Sequence, residues 1–115
     1  MTITRHNPSK MYSAAVEHNN TVYVAGQVAD DTSQDVRGQT AQVLAKIDAI
    51  LAQAGTSKSK LLSANVWLAD LRGYDQMNES WLAWVDKNNL PARATVEAKL
   101  ARASMLVEIA VICAK

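Results

Sequence analysis

The sequence has little cysteine, proline or glycine, and no phenylalanine. Its 115 residues include one cysteine, two prolines and four glycines. Because a single cysteine cannot form an intrachain disulfide, a disulfide-stapled secreted scaffold is excluded and a reducing compartment is indicated. No stretch approaches the ~18 apolar residues of a transmembrane helix, and the N-terminus lacks the apolar core of a signal peptide. We therefore expect a soluble, cytoplasmic protein that does not bind membranes.

A charge excess of either sign is also missing. Lys and Arg total 12 and Asp and Glu total 11, and the basic residues are scattered along the chain. This charge pattern does not favour a nucleic-acid partner. His6 and His18 have no carboxylate or cysteine at ligand spacing, which favours solvated histidines over a metal site. Cys113 lies in an apolar stretch and is expected to be a core residue rather than a nucleophile.

Alternation of apolar and polar residues predicts five strands. They are expected at residues 12–17, 21–26, 63–69, 94–100 and 105–113. Asn19 and Asn20 tolerate positive φ and suit a tight turn after the first strand. The last two strands are expected to form an antiparallel hairpin, with Leu100 opposite Met105.

Two helices are predicted between these strands. Apolar residues recur at spacings of three, four and seven over residues 36–54, with Ser33 or Asp35 as the cap and Gly55 at the end. The second helix is expected to begin at Asp70 or Gly73 and to end near residues 87–89. The resulting ββαβαββ order predicts one α+β domain over residues 1–115, in which both helices pack on one face of a single mixed sheet.

The other face of this sheet is expected to be apolar as well. Residues 22–25 and 106–112 are apolar on both sides of their strands, yet two helices can cover only one face. A monomer would therefore expose more apolar surface than such proteins usually tolerate. We expect another subunit to cover this face.

Arg93 and Glu108 stand out in the predicted hairpin. Its register places both on the face assigned to the subunit interface, about four residues or roughly 13 Å apart. It also places Glu97 opposite Glu108, a like-charge pair that indicates a protonated carboxyl or a slightly different turn. Arg93 could be an ordinary edge arginine paired with Glu108, but the spacing favours a functional site.

The segment "LPARATVEAKLARASMLVEI" resembles the signature of the RidA/YjgF family of enamine/imine deaminases. "TVYVAGQVA" resembles the family's second strand with its Gly-Gln step, and "YDQMNESWLAWV" resembles its second helix. The short N-terminus and "HNNTVYVAGQ" are most similar to the YoaB-type branch. The resemblance implies a chorismate-mutase-like (YjgF-like) fold and a homotrimer with clefts lined from two chains. It also implies that neither a metal nor an organic cofactor is needed.

The resemblance further implies a reaction and the residues for it. The reaction is hydrolysis of reactive 2-imino acids, formed from enamines such as 2-aminoacrylate, to 2-oxo acids and ammonia. By this resemblance Arg93 holds the substrate carboxylate and Glu108 orients or activates the attacking water. The other implied substrate-binding residues are Tyr12, Asn78, Gly26 through its backbone, and Thr95.

Two positions in the matching segments depart from the founding branch of the family. Ala25 replaces the serine that usually precedes the glycine, and Thr95 replaces a cysteine. Both changes affect polar contacts to a ligand, and therefore bear on substrate range more than on fold.

Two other functions are compatible with parts of this pattern. The same cleft could bind small carboxylates such as 2-oxo acids without catalysis, as a regulatory module. Glu108 argues against that function, because a carboxylate receptor gains nothing from a second negative charge. Endoribonuclease activity, proposed for some relatives, is disfavoured by the near-neutral charge and the lack of a histidine acid/base pair.

Overall fold

Six strands and two α-helices follow one another in a computed structural model that describes residues 2–115. The strands are β1 (Thr4–His6), β2 (Ala15–His18), β3 (Thr21–Gln27), β4 (Leu61–Leu68), β5 (Ala92–Glu97) and β6 (Val107–Ala114). The helices are α1 (Val36–Gln53) and α2 (Tyr74–Trp84). Both helices pack on one face of a single mixed sheet, as the sequence predicted.

The termini of α1 follow the predicted capping rules. Asp35, rather than Ser33, is the N-cap, and its carboxylate accepts a hydrogen bond of 2.9 Å from the backbone of Gly38. Gly55 follows the helix with φ of +82°, the left-handed conformation that glycine adopts most easily. The apolar stripe of α1 is buried against the sheet, with Val43, Ile47 and Leu51 fully inaccessible. This helix was therefore predictable from local sequence.

The predicted start of α2 at Gly73 is confirmed, since Gly73 is the N-cap, whereas the predicted end lies too far along the chain. A 3₁₀ turn at Leu71–Gly73 precedes the helix, and the Asp70 carboxylate caps this turn by accepting from the backbone of Arg72 at 2.8 Å. The helix ends at Trp84 because Val85 is already extended, with ψ of 144°. The residues at 87–89 thus lie in a turn beyond the helix.

The predicted first strand is misplaced. β2 begins at Ala15, so Tyr12 lies in a loop, and the additional short strand β1 pairs with β2. The turn after β2 is correct, since Asn19 and Asn20 have φ of 53° and 59°. The expectation of a solvated His6 is also wrong: its ring is hydrogen-bonded to Glu17, and both side chains are largely buried.

The predicted hairpin of the last two strands does not exist. The sheet order is β1-β2-β3-β6-β4-β5, so β6 lies between β3 and β4 and pairs antiparallel with both. β5 instead pairs in parallel with β4 at the sheet edge, with α2 as the connection. The physical reason is burial: β6 alternates buried and partly buried residues, which suits a central strand, whereas β5 is largely exposed, which suits an edge.

This topology changes the placement of Arg93 and Glu108. Arg93 lies beside Ala64 of β4, which is buried on the helix side of the sheet. Glu108 lies beside Trp67, one of the β4 residues that point to the opposite face. The two charged side chains are therefore on opposite faces, contrary to the prediction. The like-charge pair disappears too, because Glu97 lies beside Leu68 and its carboxylate accepts from the backbone of Leu71 at 3.0 Å.

The face of the sheet away from the helices is rich in apolar side chains. Tyr23 lies beside Ile112, and Val96 lies beside Trp67, with Tyr23 and Val96 about half exposed. This agrees with the predicted apolar face; its covering by a second subunit stays a prediction. Neither helix of the described chain combines the length and the hydropathy that a membrane crossing requires.

Candidate active site

Arg93 is held by side chains of α2. Its Nη1 donates a hydrogen bond of 2.8 Å to Asn78 Oδ1, and its Nη2 lies 3.4 Å from the Tyr74 hydroxyl. The guanidinium carbon is 5.0 Å from the centre of the Trp81 ring and 5.9 Å from that of Tyr74. Stacking on aromatic faces and bonding to a neutral amide fix the position of the cation without neutralising it.

The positive charge of Arg93 has no acidic partner in the part of the chain that the structure describes. Within residues 2–115, no carboxylate lies within 4.0 Å of the guanidinium. The partner that an ordinary edge arginine would have, Glu108, points to the other face of the sheet. The half-buried guanidinium can therefore accept an external anion, and its forked donors match a carboxylate in particular.

Two of the residues around Arg93, Tyr74 and Trp81, were not among the predicted site residues. Tyr74, Asn78 and Trp81 are spaced by four and three residues and so lie on one side of α2. This spacing can be read from the sequence, but aromatic residues at helical spacing usually pack in a core, so the sequence offered no reason to assign Tyr74 or Trp81 to a site. That α2 faces Arg93 follows from the parallel pairing of β4 and β5, which the sequence did not indicate.

Thr95 lies two residues after Arg93 on the same side of β5. It is beside Val66 of β4, and its Oγ1 is buried without a hydrogen-bond partner among the described residues. A buried hydroxyl without a partner is unfavourable, so this group is available for a further polar contact. Arg93, Asn78 and Thr95 together form one group of predicted site residues, which we call the arginine half-site.

Glu108 lies directly against the backbone of Gly26. A Cβ atom built on Gly26 would be only 2.1 Å from Glu108 Oε2, so no side chain larger than hydrogen fits beneath the carboxylate. The pairing of β3 with β6 is irregular between Val24 and Gln27, where Gly26 is located. The glycine of the Gly-Gln step thus allows the carboxylate to approach the main chain. No described residue forms an ion pair with Glu108.

A cavity of about 360 Å³ opens beside this carboxylate. Glu108 and Gly26 contribute to its lining, and the remaining wall is formed by Tyr12, Ala25, Val28, Ala101 and Met105. Tyr12 lies in a turn in which the Ser9 backbone donates to the Tyr12 carbonyl at 2.8 Å, and its side chain is 65% exposed. Tyr12, Gly26 and Glu108 form the second group of predicted site residues, the carboxylate half-site. Val28, Ala101 and Met105 were not predicted.

The two half-sites are too far apart to act on one small molecule within a protomer. Arg93 and Glu108 are separated by two strand spacings and three residues, about 14 Å between Cα atoms at ordinary sheet dimensions. Their side chains also leave opposite faces of the sheet. The structure therefore brings the six predicted residues together as two groups of three.

Other chemistry-bearing residues lie elsewhere. Nowhere in the described chain do three His, Cys, Asp or Glu side chains come close enough together to hold a metal ion. Glu17 bonds both to His6 and to Lys115, whose Nζ donates at 2.7 Å. These contacts lower the pKa of Glu17, with the hydrogen bond from Lys115 as the largest cause. Cys113 is fully buried, and this burial raises the pKa of its thiol.

Comparisons with known proteins agree over nearly the whole chain. Residues 2–115 match the family model described as Endoribonuclease L-PSP. A RutC family protein from Haemophilus influenzae is 48% identical, with 97% of each chain covered. The RutC family protein YoaB from Escherichia coli is 41% identical, with 99% of each chain covered.

The fold comparison is equally close. The crystal structure of a YjgF-family member from Neisseria meningitidis superposes with a TM-score of 0.97 at 40% identity, covering 100% of this chain and 96% of the other. The sequence match and the two-helix mixed-sheet fold lead to one assignment: this chain belongs to the YjgF/RidA family.

Proposed function

We propose that this protein hydrolyses reactive 2-imino acids, of the kind formed from 2-aminoacrylate, to 2-oxo acids and ammonia. The observation that carries the proposal is the half-buried guanidinium of Arg93, which is fixed in place yet has no carboxylate partner among residues 2–115. Such a group is suited to binding the carboxylate that every 2-imino acid has.

The environment of Arg93 favours a planar, two-oxygen anion. Asn78 Oδ1 accepts a hydrogen bond from Nη1, and the Trp81 and Tyr74 rings restrict how the guanidinium plane can tilt. A carboxylate that approaches the free edge of the fork gains two charge-assisted hydrogen bonds at little conformational cost. The unpartnered hydroxyl of Thr95 lies on the same side of β5 and offers one more polar contact.

Glu108 supplies a proton-transfer group, which hydrolysis requires and a carboxylate receptor would not need. Its carboxylate lines a cavity large enough for a small molecule, and no cation of residues 2–115 forms an ion pair with it. There it can accept a proton from the water molecule that adds to the carbon of the C=N bond and pass this proton to the nitrogen, which gives a carbinolamine. The same carboxylate can then accept the hydroxyl proton of the carbinolamine and pass it to the amino group as the C–N bond breaks, which releases the 2-oxo acid and ammonia. Water is the only co-reactant.

We propose that the complete site lies between protomers of a homotrimer. Since the arginine half-site and the carboxylate half-site cannot meet within one protomer, Arg93 of one subunit and Glu108 of its neighbour would act on the same substrate. The apolar sheet face around Tyr23 and Val96 provides surface for such an association. Positioning of this kind suits a reaction that already proceeds slowly in water.

The first experiment measures turnover of 2-aminoacrylate generated in situ by a PLP-dependent lyase. Arg93→Ala is expected to abolish acceleration above the buffer rate while the oligomer, measured by light scattering, stays intact. The matched control is Arg72→Ala, which removes an exposed arginine paired with Asp70 and should leave turnover unchanged. Unchanged turnover in Arg93→Ala would refute the proposal.

Glu108→Gln separates hydrolysis from binding. It keeps the shape of the side chain but removes the charge, so hydrolysis should slow while 2-oxo acid binding, measured by calorimetry, persists or tightens. A wild-type protein that binds 2-oxo acids without accelerating hydrolysis would instead be a regulatory module. Cleavage of RNA without imine hydrolysis would favour the activity in the family model's description.

Mixing the two variants tests whether the site is shared between subunits. Neither Arg93→Ala nor Glu108→Gln has a complete site alone, but a mixed trimer contains one intact Arg93–Glu108 pair. Random reassembly of equal amounts should therefore restore about a quarter of wild-type turnover. No recovery from verified mixed trimers would contradict the shared site.

A further inference from the structure

Met105 lines two neighbouring cavities of different chemistry. The first is the cavity beside Glu108, whose lining also includes the apolar residues Val28 and Ala101. The second has a volume of about 350 Å³ and includes the cations Lys99 and Arg102 in its lining. Met105 thus stands between an apolar space next to the proposed catalytic carboxylate and a basic space further along the same loop.

A buried glutamine holds the main chain on both sides of Met105. Gln39 of α1 is fully inaccessible; its Nε2 donates to the Ser104 carbonyl at 3.0 Å, and its Oε1 accepts from the Leu106 backbone at 3.0 Å. The same Nε2 lies within hydrogen-bond distance of two further carbonyls, in residues 32–34. A buried amide with its partners satisfied restricts local motion. The main chain at Met105 is therefore held in place, although it belongs to a nine-residue loop between β5 and β6.

We propose that Met105 is a specificity-determining residue that limits this protein to imino acids with short or medium-sized apolar side chains. The inference rests on the proposed function, because it requires the C=N carbon to lie near Glu108. The substrate side chain then lies against Met105, Val28 and Ala101. An acidic side chain is rejected there, since its charge would be buried against apolar walls and repelled by Glu108. Met105 blocks its access to Lys99 and Arg102.

The test compares imines made in situ from alanine, leucine and glutamate by amino acid oxidases, with 2-oxo acid release as the readout. For wild type, kcat/KM should be at least about tenfold higher for the alanine and leucine imines than for the glutamate imine. Met105→Ala connects the two cavities and should reduce this preference at least about tenfold. Met105→Leu conserves volume and should retain it.

Two further variants sharpen the result. Leu100→Ala alters the same loop but lines only the basic cavity, so the preference should stay at its wild-type value. Adding Arg102→Ala to Met105→Ala should remove most of the increase in kcat/KM that Met105→Ala gives for the glutamate imine. A full gain without Arg102 would overturn the role assigned to the basic cavity.

The outcomes that overturn the inference differ from those that overturn the proposed function. An unchanged preference in an active Met105→Ala protein refutes the role of Met105. Equal wild-type rates for the alanine and glutamate imines refute it too, whether or not any variant folds. If wild type accelerates none of the imines, the proposed function fails and the inference fails with it.

Discussion

Gly26→Ala should inactivate the protein while leaving its fold intact. The new Cβ would lie 2.1 Å from Glu108 Oε2, whereas ordinary contacts begin at 3.4 Å, so the carboxylate must move by at least about 1.3 Å. Gly26 is not among the positive-φ glycines, so alanine fits its backbone conformation. The clashing atom is the end of a flexible side chain, which can rotate away. The variant should therefore fold normally with a misplaced Glu108.

The expected magnitude follows from the displacement. A catalytic group misplaced by about 1 Å can cost roughly 100-fold in rate, or about 2.7 kcal/mol of transition-state stabilisation. Because the substrate carboxylate is bound at Arg93, the loss should appear in kcat with little change in the affinity for 2-oxo acids. Steady-state kinetics and calorimetry measure the two quantities separately.

Gly38→Ala is the matched control. Its Cβ would lie 2.3 Å from Gln34 Oε1 and 2.9 Å from Gln34 Cβ, so the side chain and the backbone of Gln34 must both shift at the start of α1, away from the two half-sites. It should keep full turnover even if it costs some stability. Combining Gly26→Ala with Glu108→Gln should lower kcat little more than either change alone, since both changes act on the same carboxylate. Wild-type kcat in Gly26→Ala, or fully additive losses in the double variant, would refute the reasoning.

Three further predictions concern stability and reactivity. Lys115 and His6 lower the pKa of Glu17 in the folded state from 4.5, so Glu17 stabilises the fold above pH 4.5 and this stabilisation is lost as the pH falls through the lowered pKa. Glu17→Gln should therefore flatten the acidic part of a plot of unfolding free energy against pH. An unchanged plot would contradict this prediction. Leu51→Ala should destabilise the protein by about 2–5 kcal/mol in urea unfolding at fixed protein concentration, and a loss below about 1 kcal/mol would be inconsistent with its complete burial. Cys113 should resist thiol reagents until the protein unfolds, because the thiol is buried and its pKa is raised; rapid labelling of native protein would contradict that.

Helix α1 illustrates what could be predicted from sequence. Its cap at Asp35, its apolar stripe and the left-handed Gly55 all depend on residues within one helix length of each other. The turn at Asn19 and Asn20 is local in the same sense. Such features are set by backbone sterics and by periodic burial, which the order of residues specifies directly.

The pairing of the last two strands illustrates what could not be predicted from sequence. Residues 92–97 and 107–114 alternate as strands whether or not they pair with each other, so periodicity could not reveal that β6 enters between β3 and β4. The error placed Arg93 and Glu108 on one face. In the structure they lie on opposite faces, and Tyr74 and Trp81, which had been given no functional role, surround the arginine.

The sequence alone determined the two helices, the approximate positions of five of the six strands, the family and the six residues proposed for the site. Only the tertiary structure decided which strands are neighbours, and with that the division of those six residues into two half-sites that one protomer cannot join. The physical reason is that hydrogen-bonded strand backbones are nearly interchangeable. The choice of partner is made by burial and by the connecting segments of the whole chain, which no local stretch contains.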